Sequence, residues 1–370
     1  MMKRLVYVWA VVLLLAGCKS ATAPVSPRVV NALENLPALV DSCGIPVLQY
    51  YYFSPQGDLS KVVRLSDTGF LVSQPIDAQS IFQAASLSKP VFAYIVMRMV
   101  DRKEIDLDRS VADYTDIDRF VDKEMARRLT PRMVLSHQTG LPNWAAGPSS
   151  DEWPTSPITF KYPTDSCFAY SGEGYAFLQR AVEAIQGEPL DQIARREVFD
   201  PFDMPTTSYV WLPEYDTLAL DGFNRDGENR GQGRHPRANC AYTLRTNATE
   251  YARFIRHGLL EGEGLSKEAH QEMFKHQVHA QRYADEPRAC DSTVFWCLGF
   301  GAVAESTPGA GEYYWHWGDN GNFKALWLLH PDTDEGFVYF SNRATGHDLL
   351  LPFLKELTGE DLPLNDWIRN

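Results

Sequence analysis

The sequence predicts an α+β fold in two lobes, with an antiparallel sheet from both chain ends plus a mostly helical lobe between them. Three observations predict it. Apolar runs of strand length stand near the start (Val47–Phe53) and again from Val294 to Ser341, the later ones joined by short turns. The stretch between carries helical periodicities and long polar connections. At the seam, a β-like run ends in the small residues Ala84-Ala-Ser86 and passes at once into a helical pattern from Pro90.

In chain order, Lys3 and Arg4 precede an apolar run, Leu5–Ala16, too short for a bilayer span of about 20 residues. With Leu15-Ala-Gly-Cys18 it resembles the lipobox of bacterial lipoproteins, in which the cysteine is lipidated and becomes the new N-terminus. Residues 1–17 are therefore expected to be a lipoprotein signal peptide, with Cys18 as the lipidation site. Residues 18–28, small, polar and Pro-bearing, read as a flexible tether, and residues 29–370 as the folded domain. The alternative is an ordinary secretory signal that happens to hold a cysteine. The expectation is an exported protein, lipid-anchored to a bacterial membrane at the periplasm or cell surface.

Residues 29–41 read as an amphipathic helix ending near Cys43-Gly44. Val47–Phe53 and Lys61–Leu65 read as strands joined by the turn Ser54-Pro-Gln-Gly-Asp58. Ile76–Ala85 leads into a helix expected from Ser86 to about Val100. Thr130-Pro-Arg-Met-Val-Leu-Ser-His137 is a helix start with Thr130 as N-cap and Pro131 in the first helical position, stopping at Gln138-Thr-Gly-Leu-Pro142. Tyr170 stands on a turn before a helix through about Ile185. Gly222–Arg237 is a polar surface loop, and helices resume at Thr249–Leu260 and Lys267–His276. Strands follow at Trp296–Val303, Tyr313–Trp317, Asn322–Leu329 and Gly336–Ser341, and Leu349–Leu357 closes the chain as a helix.

The formal charge of −13 becomes −15 once residues 1–17, with Lys3 and Arg4, are removed. So acidic a chain argues against nucleic-acid binding, which needs basic patches. Besides Cys18 there are Cys43, Cys167, Cys240, Cys290 and Cys297; Cys290 and Cys297 are the expected pair in a disulfide-permissive compartment, and an odd total leaves at least one thiol unpaired. His270, His276 and His279 lie just upstream, but their spacing matches no zinc pattern, and a polar helix face accounts for them.

Ser86 and Lys89 carry the chemistry. A spacing of three places an amine beside a hydroxyl on one helical face, and the helix N-terminus favours negative charge developing there. A weak alcohol nucleophile needs both kinds of help. Alone, the pattern is equally an N-cap serine and a solvated lysine.

Ser86-Leu-Ser-Lys89, Leu135-Ser-His-Gln-Thr-Gly-Leu-Pro142, Tyr170-Ser-Gly-Glu-Gly-Tyr175 and Trp315-His-Trp-Gly-Asp319, in this order, resemble the serine hydrolases related to class C β-lactamases. That group also holds D-alanyl-D-alanine carboxypeptidases, D-amino-acid peptidases and esterases. The resemblance spans roughly residues 40–350 and implies a β-lactamase/transpeptidase-like fold. It implies Ser86 as the nucleophile that carries the acyl group, Lys89 as the group relaying its proton, and Tyr170 as a phenolate base. It also implies His316-Trp-Gly318 in place of the family's K-T-G box, and an oxyanion hole from the backbone N–H groups of Ser86 and Asp319. No metal and no organic cofactor is implied; the partners are a small-molecule or peptide substrate and the membrane, through the N-terminal lipid.

The chain departs from the family pattern at two positions. Gly172 stands where the β-lactamases have an asparagine whose amide contacts substrate, and His316 stands where they have a lysine. Asn320 is a candidate substitute for the amide. Trp144, Trp153, Trp315, Trp317 and Tyr242 suggest an aromatic rim for an apolar acyl group, and core packing accounts for them equally well. The resulting expectation is an ester or amide hydrolase, esterase-like or D-amino-acid peptidase-like. The alternatives are β-lactamase or DD-carboxypeptidase action, or a ligand-binding member of the fold without turnover.

Overall fold

The computed structural model describes residues 24–65, 74–281, 292–304 and 311–369. Residues 1–17, Cys18 and Cys290 lie outside them.

Among the described residues ten strands are formed: β1 (Val47–Phe53), β2 (Leu59–Arg64), β3 (Phe82–Gln83), β4 (Arg245–Thr246), β5 (Val278–His279), β6 (Val294–Trp296), β7 (Gly301–Val303), β8 (Tyr313–Asp319), β9 (Lys324–His330) and β10 (Glu335–Ser341). Eight of them make one antiparallel sheet in the order β2-β1-β10-β9-β8-β7-β6-β5, while β3 and β4 pair separately. The sheet is assembled from the two ends of the chain: β1 lies on β10 with Leu48 opposite Ser341 and Phe53 opposite Gly336.

Strand periodicity fixes which face each side chain covers. On β9, Ala325, Trp327 and Leu329 pack into the helical lobe, and on β10 so do Val338 and Phe340. The alternate residues Leu326, Leu328, Phe337 and Tyr339 pack the other way, against the helices Pro27–Ser42 and Leu350–Thr358. Both faces are thus covered, which explains why these strands read as unbroken apolar runs. The first helix of the described residues begins at Pro27, in the position where a missing N–H costs nothing, and so includes the last two residues of the segment expected to be tether.

Three sequence expectations are corrected. The run Trp296–Val303 is a hairpin of two short strands, because Gly299 takes φ +104° and abuts the helix Ser88–Asp101; a Cβ there would lie 2.3 Å from Ala93 Cβ. Ile76–Ala85 yields only the two-residue strand β3 and, before it, an isolated bridge from Ile81 to Ala219. The disulfide expected between Cys290 and Cys297 finds no support: Cys297 is a buried free thiol with its Sγ 3.2 Å from Phe274 O.

The histidines weighed as zinc ligands are spread apart in their roles. His270 contacts Leu259 O at 2.6 Å, His276 reaches Glu312 at 3.3 Å, and His279 packs on Phe295. The polar loop Gly222–Arg237 folds back over β3 and β4, where its carbonyls accept from Gln83 and Arg245. That gives its backbone buried partners while Arg225, Asp226, Glu228, Arg230 and Arg234 stay exposed and Phe223 is buried.

Candidate active site

Ser86 sits in a single tight turn, Ala85–Leu87, that feeds the helix Ser88–Asp101. The α-helix itself starts two residues later than expected. Ala85 is held at φ +51°, a left-handed conformation that costs a residue with a Cβ about 1–3 kcal/mol. Surrounding bonds enforce it. Ser88 Oγ donates to Ala85 O at 2.6 Å and accepts from Leu244 N, Tyr251 OH donates to Leu87 O, and Tyr209 OH donates to Ser88 O. The strand β8 crosses against this turn at Gly318, where any Cβ would lie 2.4 Å from Ala84 O. A glycine there is what lets the following residue, Asp319, stand beside Ser86.

Lys89 Nζ lies 3.2 Å from Ser86 Oγ and donates to Ala241 O at 2.8 Å. Its complete burial lowers its pKa to about 7. A neutral amine here has one lone pair to turn to the Ser86 hydroxyl while an N–H holds Ala241 O. Lys89 Nζ also stands 4.7 Å from the centre of the Tyr170 ring, which packs against His137 (4.2 Å) and Trp317 (4.9 Å).

His137 gained no role from sequence. It occupies the left-handed position (φ +59°) that closes the helix Pro131–Leu135, with its own N–H on Val134 O and that of Gln138 on Met133 O. Glycine is the usual residue at such a stop. Its Nδ1 accepts from Ser171 N at 3.1 Å, so the ring proton sits on Nε2. A histidine where a helix stop favours glycine is the sequence signal for it. His316 Nδ1 donates to Trp317 O at 2.7 Å. Burial first, and then the Lys89 amine, hold both imidazoles neutral, well below the usual histidine range. His316 therefore offers no cation for a substrate carboxylate.

Ser86 and Tyr170 open on a cleft of about 520 Å³ whose walls also include Asn143, Lys161, Trp317 and Asp319. Gly172 and His316 are not among its walls. The Asp319 carboxylate is held below the usual range despite burial by Lys324, and accepts from Gly321 N at 2.7 Å, so it is not available as a base. Behind it, His347 donates from Nε2 to Gly318 O at 3.1 Å and accepts from Tyr339 OH at 2.7 Å. Burial holds this histidine neutral, with its pKa at about 4. The Gly318 carbonyl belongs to the same peptide group as the Asp319 N–H, so that bond polarises the N–H. Asn320 is turned away, its amide donating to Gln83 Oε1 at 2.6 Å and Tyr242 O at 3.2 Å. Of the expected aromatic rim, Trp317 lines the cleft, whereas Trp315 is fully buried in the core.

Glu173 was also missed. Fully buried, it pairs with Arg119 at 3.1 Å and accepts from Trp153 Nε1 at 2.6 Å and Ala145 N at 2.9 Å. It thereby ties the helix behind Tyr170, Gly172–Gln186, to the loop 143–156. Glu173→Ala is expected to destabilise the fold by about 3–5 kcal/mol, because it strands a buried guanidinium. Urea unfolding checks this, and a loss under about 1 kcal/mol would remove Glu173 as the tie.

The family model described as Beta-lactamase matches residues 62–354. Penicillin-binding protein 4 of Amycolatopsis lactamdurans is 31% identical over 150 residues, 38% of each chain. The chain spans little more than a third of the length of the curated relatives it matches. Among solved structures, a D-stereospecific amidohydrolase from Streptomyces sp. aligns with a TM-score of 0.71 at 17% identity, covering 90% of this chain and all of that one. A class C β-lactamase from Rhodobacter sphaeroides aligns at 0.71 and 16%, covering 90% of this chain and 99% of that one. These likenesses give the fold, a β-lactamase/transpeptidase-like arrangement of one antiparallel sheet and helices, and the match over residues 62–354 gives the family: the chain belongs to the β-lactamase family.

Proposed function

We propose that the protein is a serine hydrolase that cleaves an ester or amide through an acyl-enzyme on Ser86. The observation that carries this reading is the Lys89 amine, 3.2 Å from Ser86 Oγ and brought by burial to a pKa of about 7. At neutral pH a large share of such an amine is unprotonated and able to take the serine proton as Oγ attacks the carbonyl. The backbone N–H groups of Ser86 and Asp319 receive the oxyanion, and the Lys89–Tyr170 pair returns the proton to the leaving group. Water then releases the acyl group by the same steps in reverse order.

We favour an esterase-like or D-amino-acid peptidase-like substrate over a β-lactam. Support comes from the missing side chain at Gly172 and the neutral His316, which leave out two groups the β-lactamases use, and from the D-stereospecific amidohydrolase among the structural neighbours. One observation favours the carboxypeptidase alternative: Lys161, the cation on the cleft wall among the described residues, suits a peptide ending in a free carboxylate.

The test is intact mass after exposure to a fluorophosphonate. A single adduct, mapped to the peptide containing Ser86, is the expected result; no adduct would move the protein to the non-catalytic, ligand-binding reading. Lipid anchoring through Cys18 is part of the proposal and rests on Leu15-Ala-Gly-Cys18. Cys18→Ser is expected to shift the protein from the membrane to the soluble fraction, and continued membrane association would sink it.

A further inference from the structure

The helix Pro131–Leu135 closes on a backbone that would suit a glycine. His137 takes φ +59° there, with its N–H on Val134 O, and glycine is the residue such a stop favours. A histidine kept in this conformation is explained by what its side chain and carbonyl hold.

Both hold the segment that carries Tyr170. Ala169 N donates to His137 O at 2.6 Å, and Ser171 N donates to His137 Nδ1 at 3.1 Å. One residue therefore takes the backbone N–H on each side of Tyr170. The imidazole also lies against the phenol ring, 4.2 Å from centre to centre. Only the neutral ring with its proton on Nε2 can accept from Ser171 N. The surroundings favour that form: His137 is fully buried, and Phe168, Tyr175 and Trp296 close around it with ring centres 5.6, 5.1 and 5.4 Å away. Tyr175 OH donates to Leu135 O at 3.3 Å, which ties the same helix end to the helix Gly172–Gln186. Lys89 Nζ stands 4.7 Å from the centre of the Tyr170 ring, so this clamp sets where the phenol meets the amine. His137 is not among the walls of the cleft that holds Ser86 and Tyr170.

We propose that His137 is a positioning residue for the hydrolysis, fixing Tyr170 against Lys89 for the return of the proton to the leaving group. It acts through Tyr170 and not on the substrate. This rests on the hydrolase reading given above.

The test is a double-mutant cycle with Tyr170→Phe, made in the full chain and read as kcat/KM for phenyl acetate, whose leaving group is basic enough to need the returned proton. His137→Gly keeps the left-handed backbone and loses the acceptor and the ring. With Tyr170 present it is expected to lower kcat/KM about 10²-fold, the scale of loss when a catalytic group is misplaced by about 1 Å. In Tyr170→Phe no phenolic proton remains to be placed, and the same substitution should cost less than about threefold. The two falls should then differ by more than about tenfold, as for residues that act as a unit. A difference below about tenfold, as plain destabilisation would give, overturns the inference and leaves the hydrolase reading standing. Should the glycine variant fold poorly, His137→Asn goes through the same cycle, since asparagine tolerates this backbone and loses only the ring; there a difference below about threefold is the overturning result. A wild type that hydrolyses no ester and takes no fluorophosphonate overturns the hydrolase reading and this inference with it.

Discussion

Ser86→Ala is expected to reduce hydrolysis of a p-nitrophenyl ester by about 10⁵–10⁶-fold, the scale seen when a serine nucleophile is removed. The fold should hardly notice. The strained turn is held through Ser88, Tyr209 and Tyr251, and Ser86 Oγ contributes only its contact with Lys89. The thermal midpoint should therefore stay within a few degrees while turnover vanishes. Because the two groups act as one unit, Ser86→Ala combined with Lys89→Met should be no slower than Ser86→Ala alone. Retention of more than a hundredth of the wild-type rate would place the nucleophile elsewhere.

Lys89→Met is expected to lower kcat/KM by about 10²–10⁴-fold, the usual worth of a positioned proton acceptor. Methionine keeps the buried volume and cannot exchange a proton. The pH dependence is the sharper readout. In the wild type, kcat/KM for a neutral ester should rise with pH through about 7 as Lys89 loses its proton. That limb should be absent from Lys89→Met and should persist, at a lower plateau, in Tyr170→Phe. Loss of the limb in Tyr170→Phe would assign the titration to the phenol instead.

Stability should carry the same signature with a definite sign. The unfolded chain holds the Lys89 proton up to about 10.5 and the folded chain only up to about 7. Between these values the unfolded state binds more protons, so this group makes the wild type more stable as pH rises and exerts its full destabilising effect below about 7. The thermal midpoint of Lys89→Met minus that of the wild type should therefore shrink from pH 7 to pH 10; a difference that is flat with pH would mean the amine is not buried in its charged form's disfavour.

The parts of the fold legible in sequence were those governed by local periodicity. The apolar runs of β9 and β10, the Thr130–Pro131 helix start and the Ser86–Lys89 spacing all depend on neighbours within a few residues. What escaped depends on contacts across the chain. Trp296–Val303 reads as one strand because nothing local reveals that Gly299 meets Ala93. The neutrality of His316 is a matter of burial beside Lys89, some 230 residues away in sequence. Asn320 is a plausible amide by composition, and only its bonds to Gln83 and Tyr242 show that it is turned away. Trp144 is unremarkable until a Cβ at Gly172 is placed against it and falls 2.3 Å from Cζ2.

The pairing of β1 with β10 also has a consequence for how the chain is made. β1 ends at Phe53 and its partner begins at Glu335, so roughly 280 residues separate them. At the usual pace of synthesis, about 5–20 residues per second, β1 waits roughly 15–60 s for its partner to be made. Through that interval β1 has only β2 beside it; its β10 edge is unpaired, and Val47, Tyr50, Tyr52 and Phe53 lack their neighbours on that side. The sheet cannot close around a growing chain; it closes on a finished one. Any nascent form released short of Glu335 is therefore a sticky half-sheet, and the cell must shield it or keep it unfolded until the last strands arrive.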